Sequence, residues 1–309
     1  MSVPPTSPAA APPALSKSQI FVRRLGSTVF LWTIVLTAMF STNALVANWV
    51  FLGLMVLLAV TGLLEFYGLV EKRGLVCFRW FGVVTGVVLM AATHFYVANA
   101  SGHQLRAGKP NDFETGILVL FVLGLCVRQF VAKNNPNGLA GIATTLLGLM
   151  YVPWLLNFIQ KINYLPGIEG RFFVLFFIIV TKFSDLGAYV TGSLIGRHKM
   201  IPRISPGKTW EGFGGAIVIS TGASVLFVKL AGAHMAPMNW VHAIVLGVIL
   251  SVAVVVGDLI ESLFKREAGV KDSGKFFPGI GGILDLLDSL LFNAPLIYLY
   301  LRHVMRVGA

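Results

Sequence analysis

Acidic side chains are scarce. Thirteen Asp and Glu stand against 24 Lys and Arg in 309 residues, a formal net charge of +11. Charge of either sign is short as well, at 12% of the chain, about half of what a soluble domain carries. That shortage, with 56% hydrophobic residues and a mean hydropathy of +0.80, excludes an ordinary soluble globular domain. Cysteine is nearly absent. Cys77 and Cys126 lie in or beside apolar runs, so no disulfide framework and no zinc-type spacing is available. Period-two alternation is missing, which excludes a transmembrane barrel. Lipid then leaves helices, whose backbone groups are satisfied internally. Segment 1–16 is Pro/Ala-rich, with no basic region ahead of a short apolar core; it is expected to be disordered rather than a signal peptide.

What the chain does have is long apolar runs. They predict an all-α, polytopic integral membrane helical bundle with about nine transmembrane helices, near 26–45, 47–69, 80–99, 114–132, 138–158, 172–192, 212–232, 240–262 and 283–303. With the N-terminus in the cytosol, sixteen Lys/Arg fall in cytosolic segments and six, Lys161 among them, on the far side. The excess of basic residues then reads as membrane topology, and no nucleic-acid partner is expected. Three regions follow: a cytosolic N-terminal segment over 1–24, scaffold helices over 25–165, and a catalytic region over 166–309 with cytosolic loops 193–211 and 263–282. Eight of the 13 acids lie between Asp185 and Asp288, which places the chemistry in the C-terminal half.

The carboxylates are the informative residues. Asp258 follows the apolar run SVAVVVG, and Asp285 and Asp288 open the last span in GGILDLLDS. Each ionised group at the bilayer centre costs about 2.5–3.5 kcal/mol. Asp285 and Asp288 are three residues apart and share a helix face, and a hairpin of the last two spans would bring Asp258 beside them. Three carboxylates at one locus repel unless a cation sits between them. Oxygen ligands without His or Cys suit Mg²⁺; the bland alternative is structural ion pairing with Lys or Arg. Asp185 is a third-helix candidate for the same cavity, or a partner of Lys182. Glu65 reads as structural or interfacial.

Basic residues cluster in two Gly-containing loops. Lys265, Arg266 and Lys271 lie with Asp272 in one; Lys208, with Ser205 and Thr209, lies in the other. Such loops at helix N-termini suit phosphate, although Lys/Arg-rich loops also follow from topology alone. Gly207–Thr209 reads GKT, but a phosphate-binding P-loop needs Gly five residues earlier, where Pro202 stands. Gly212–Gly215 reads as close helix packing. Together these residues describe a divalent cation, several phosphates and a site at the cytosolic membrane face. The simplest such activity joins a soluble nucleotide to a lipid phosphate.

The stretches GDLIESLFKREAGVKDSG and PGIGGILDLLDS, within Gly257 to Ser289, and SDLGAYVTGSLIGRHK and ISPGKTWEGFGG, within Ser184 to Gly215, resemble the motifs of the phosphatidate cytidylyltransferases, the CDP-diacylglycerol synthases. The resemblance implies the reaction of CTP with phosphatidic acid, a membrane lipid, to give CDP-diacylglycerol and pyrophosphate. It implies Mg²⁺ on Asp258, Asp285 and Asp288, and suggests a second cation. Lys208, Lys265, Arg266 and Lys271 would hold CTP phosphates and pyrophosphate. Ser205, Thr209 and Asp185 would lie on the substrate side, and Asp272 and Ser262 in a turn or supporting role. A homodimer in a bacterial inner membrane, with the site on the cytosolic face, completes the expectation. Two positions depart from the family pattern: Ile280 stands where it has His, and Leu286 where it has Arg. Either those side chains are dispensable, or this branch takes another lipid phosphate. A CTP-dependent lipid kinase and a membrane transporter are the competing readings.

Overall fold

Helices form wherever the apolar runs predict them. The computed structural model describes residues 17–100, 109–132, 137–274 and 281–308; the segment expected to be disordered, Lys275 and Ile280 lie outside them. The helical segments are α1 (Lys17–Phe40), α2 (Ala44–Lys72), α3 (Arg79–Ala100), α4 (Lys109–Val131), α5 (Gly138–Leu149), α6 (Leu155–Asn163), α7 (Gly170–Ile195), α8 (Trp210–Ala231), α9 (Trp240–Glu267) and α10 (Ile283–Leu299). A π turn, Met150–Trp154, joins α5 and α6 into one rod. Among the described residues eight rods are long and apolar enough to cross a membrane, and α1 covers most of the first predicted span. The chain is an integral membrane protein.

Two boundaries differ from expectation for visible reasons. The first two spans part at 41–43 rather than 45–47, because Asn43 caps α2. Its side-chain oxygen accepts from the Leu45 and Val46 N–H groups at 3.0 and 3.3 Å. The fifth rod runs to Asn163 rather than 158. Its last turns carry Asn157, Gln160 and Lys161 on a face that packs inward and is buried. Lys161, expected in a far-side loop, instead forms a buried ion pair with Glu114 of α4. Asn157 donates to the same carboxylate at 2.6 Å and to Thr93 of α3 at 2.9 Å.

The C-terminal helices pack in chain order, α7 on α8, α8 on α9 and α9 on α10, and α10 also meets α2, α6 and α7. α10 is thus the central post, with Leu284, Leu287, Leu291, Ala294 and Ile297 in the main core. α4 is peripheral. Leu120 and Phe130, 71% and 91% exposed, face outward, as lipid-facing side chains do. The loop at 193–211 holds one element the all-α expectation lacked: an antiparallel hairpin of β1 (Lys199–Ile201) and β2 (Ser205–Thr209).

Candidate functional site

Two close helix crossings build the site. α7 meets α8 through glycine: a Cβ on Gly187 would come within 2.8 Å of the Gly215 carbonyl oxygen and 3.2 Å of Ala216 Cα. Gly257 does the same between α9 and α10, where a Cβ would stand 2.8 Å from the Asp288 carbonyl oxygen. That approach brings Asp258, the next residue, beside Asp288.

The hairpin folds over this end of the bundle because its ends are tied. Glu211 accepts from the N–H groups of Arg197 (3.1 Å) and His198 (3.2 Å) and pairs with His198 Nδ1 at 2.6 Å. Thr209 caps α8, its hydroxyl oxygen accepting from the Gly212 N–H at 3.1 Å. Between those ties Lys208 turns inward. Its Nζ lies 2.7 Å from Asp258 Oδ2 and donates to the Val255 carbonyl at 3.1 Å. Arg266, at the end of α9, adds a third tie by donating from Nε to the Ile204 carbonyl at 3.3 Å.

A cavity of about 440 Å³ opens here, lined by Lys182, Asp185, Ser205, Lys208, Thr209, Asp258, Asp285 and Asp288 among others. Residues named from four separate stretches of sequence thus meet at one place. Asp185 both lines this cavity and pairs with Lys182, at 3.5 Å. Ser262, Lys271 and Asp272 do not line this cavity: Ser262 is half-buried on α9, and the other two are exposed in the turn after it. Leu286 is half-buried on α10.

The acids divide into two kinds. Oxygens of Asp258, Glu261 and Asp288 lie within 4.8 Å of one another. Asp285, expected in that set, is engaged elsewhere. Its Oδ2 accepts from the backbone N–H groups of Gly282 (2.8 Å) and Ser273 (3.1 Å), and its Oδ1 from Lys265 at 2.7 Å. At the third position of α10 a carboxylate reaches back to the N-cap N–H, as in a capping box. Lys265 spans the two kinds, since it also lies 2.7 Å from Glu261 Oε2. Glu261, fully buried, was not picked out in the sequence. The signal was present: it follows Asp258 by three residues, the spacing used to pair Asp285 with Asp288.

Glu65 has a larger part than an interfacial residue would. From α2 it accepts from the Ile283 and Leu284 N–H groups at 3.0 and 2.8 Å, and from the Ser273 hydroxyl at 3.0 Å. It therefore clamps the start of α10 to Ser273, in the turn that follows α9. Nothing local in the sequence marks this contact, which joins residues some two hundred positions apart.

The sequence model described as the cytidylyltransferase family matches residues 27–304. The chain belongs to the cytidylyltransferase family. Relatives include YnbB of Escherichia coli (strain K12), 36% identical over 62% of this chain and 65% of that protein. The phosphatidate cytidylyltransferase of Mycobacterium leprae (strain TN) is 40% identical over 51% of this chain and 49% of its own length. That of Staphylococcus epidermidis (strain ATCC 12228) is 35% identical over 62% and 74%. The chain thus spans about two thirds of the first of these relatives and about half of the second.

Nucleotide chemistry in such a family calls for a divalent cation, and the residues fit one. Glu261 Oε1 is buried without a hydrogen-bond partner, and the trio offers oxygen alone, the donor set of a hard cation. Charge agrees. Asp185, Asp258, Glu261, Asp285 and Asp288 against Lys182, Lys208 and Lys265 leave two negative charges in excess when all are ionised, among the described residues at this centre.

Proposed function

We propose that this chain is a phosphatidate cytidylyltransferase, joining CTP to phosphatidic acid with release of pyrophosphate. The observation that carries the reading is the excess of carboxylate over ammonium at one cavity, lined by the inward-turned Lys208, with Lys265 behind it on Glu261 and Asp285. The names of the Mycobacterium and Staphylococcus relatives supply the substrate class. We assign Asp258, Glu261 and Asp288 to Mg²⁺, and Asp285 to fixing Lys265 and the turn before α10. The membrane is a bacterial inner membrane with the cavity on its cytosolic face, in keeping with the charge asymmetry of the loops. The scaffold and catalytic halves meet through Glu65.

The chemistry asks little of a general base. A phosphate monoester has a second pKa near 6 and is largely dianionic near pH 7. One of its oxygens forms the new bond to the α-phosphorus of CTP as the bond to the β-phosphate bridging oxygen breaks, and pyrophosphate departs with that electron pair. Lys208 and Lys265 neutralise phosphate charge and hold the triphosphate in line. Arg266, Lys271 and the hairpin close the triphosphate from the water side. A divalent cation bound at the three acids supplies Lewis-acid neutralisation of the transferring phosphate. Thr209 and Ser205 offer hydroxyls on the hairpin side of the cavity.

Labelled CTP tests this. In detergent with phosphatidic acid and Mg²⁺, label in the α-phosphate is expected in the lipid product and label in the γ-phosphate in pyrophosphate. Label passing from the γ-position to lipid would instead identify a lipid kinase.

A further inference from the structure

The π turn in the fifth rod places a residue at the acidic centre that the chemistry above does not use. Pro153 has no N–H to give to the helix ladder, and the rod accommodates it by widening over Met150–Trp154. Such turns occur often at functional sites. Tyr151 lies in this one, 6% exposed. Its ring packs on Phe264 of α9 and Phe292 of α10, with centroids 5.5 and 6.3 Å away. Phe264 follows Glu261 by three residues, and Phe292 follows Asp288 by four. The ring is therefore wedged between the two helices that carry the acids, beside the turns that bear them.

That hydroxyl is buried with no hydrogen-bond partner, and so is Glu261 Oε1; the other Glu261 oxygen is held by Lys265. A buried polar atom without a partner is unfavourable, and phenylalanine would fill the same space without that cost. The hydroxyl is a donor and the free carboxylate oxygen an acceptor. The two are not hydrogen-bonded to one another here; we propose that Tyr151 is a positioning residue of the acidic centre, its hydroxyl donating to the Glu261 carboxylate once that carboxylate turns to hold a divalent cation. The proposal rests on reading Asp258, Glu261 and Asp288 as a cation site. Partners of this kind, one step behind the ligands, typically change metal affinity or activity by 10–100-fold.

The test is Tyr151→Phe in the purified full chain, with Mn²⁺ binding followed by paramagnetic resonance in detergent without nucleotide. Mn²⁺ affinity is expected to fall about 10-fold or more, and the Mg²⁺ concentration for half-maximal turnover to rise in step. The melting temperature without cation should be unchanged or higher, since an unpartnered hydroxyl has been removed. In a Glu261→Gln background the same substitution should have no further effect on Mn²⁺ binding. A variant that binds Mn²⁺ as wild type does, within about two-fold, overturns the role of Tyr151. Wild type that binds no Mn²⁺ overturns the cation site itself, and this proposal with it.

Discussion

Glu65→Ala should loosen the start of α10 more than any other single change in the N-terminal half. The carboxylate accepts three hydrogen bonds, from Ile283, Leu284 and Ser273, at 2.8–3.0 Å. Because Glu65 is only half-buried, each is given the value of an ordinary hydrogen bond rather than that of one to a buried charge, about 1 kcal/mol, which makes a loss of about 3 kcal/mol. Glu65→Gln keeps one acceptor oxygen and turns an N–H₂ towards a remaining donor, so about 1–2 kcal/mol is expected. Thermal unfolding in detergent, followed by tryptophan fluorescence, should therefore order the proteins wild type, Gln, Ala. Turnover should fall in the same order, since the clamped turn presents Asp285 to Lys265 and sets the entry of α10 that carries Asp288. Melting and turnover of both variants within about 0.5 kcal/mol of wild type would refute the clamp, because surface substitutions without structural consequence fall in that range.

Other substitutions separate fold from site. Lys161→Met strands the buried Glu114 carboxylate and should cost about 3–5 kcal/mol, with much of the loss recovered in the double variant Lys161→Met/Glu114→Leu; thermal melts of the two would check this. Gly257→Val would force a side chain against the Asp288 carbonyl oxygen and the Phe292 ring, 2.8 and 2.9 Å from even a Cβ. Mn²⁺ binding should weaken as α9 is pushed off α10. Lys208→Met removes the ammonium paired with Asp258. It should raise the KM for nucleotide by about 10-fold or more, as loss of a hydrogen bond to a charged group does, without lowering the melting temperature by a comparable step.

Much of the fold could be read from hydrophobic run length, because in lipid a span needs only about 20 apolar residues and its own hydrogen bonds. What escaped is governed by polar detail. The break at 41–43 depends on one capping Asn, and the extension of the fifth rod depends on Lys161 finding Glu114 across the bundle. The β1–β2 hairpin is held by Glu211, which does not stand out in a Gly/Pro-rich loop, and by Thr209, read from the sequence as a substrate-side residue rather than a helix cap. At the site, Asp185, Lys208, Asp258 and Asp288 were legible because charges in apolar surroundings are conspicuous, and they line one cavity. Glu261 rather than Asp285 stands close to Asp258 and Asp288, for a local reason. A carboxylate at the third position of α10 is drawn to the helix-start N–H groups, while one a turn beyond Asp258 is buried beside Asp258 and Asp288 with one oxygen held by Lys265. Glu65 and Tyr151 could not be found from pattern, since each acts through contacts made only when α2 and the fifth rod pack on α10.

The most direct test combines substrate and site. Purified wild type and Glu261→Gln would be given α-phosphate-labelled CTP, phosphatidic acid and Mg²⁺, with pyrophosphate measured alongside labelled lipid. Equal amounts of labelled lipid and pyrophosphate from wild type, and neither from the variant, are the predicted result. Folded wild type that labels no lipid, or a Glu261→Gln protein that matches it, would contradict the assignment of this acidic cavity to cytidylyl transfer.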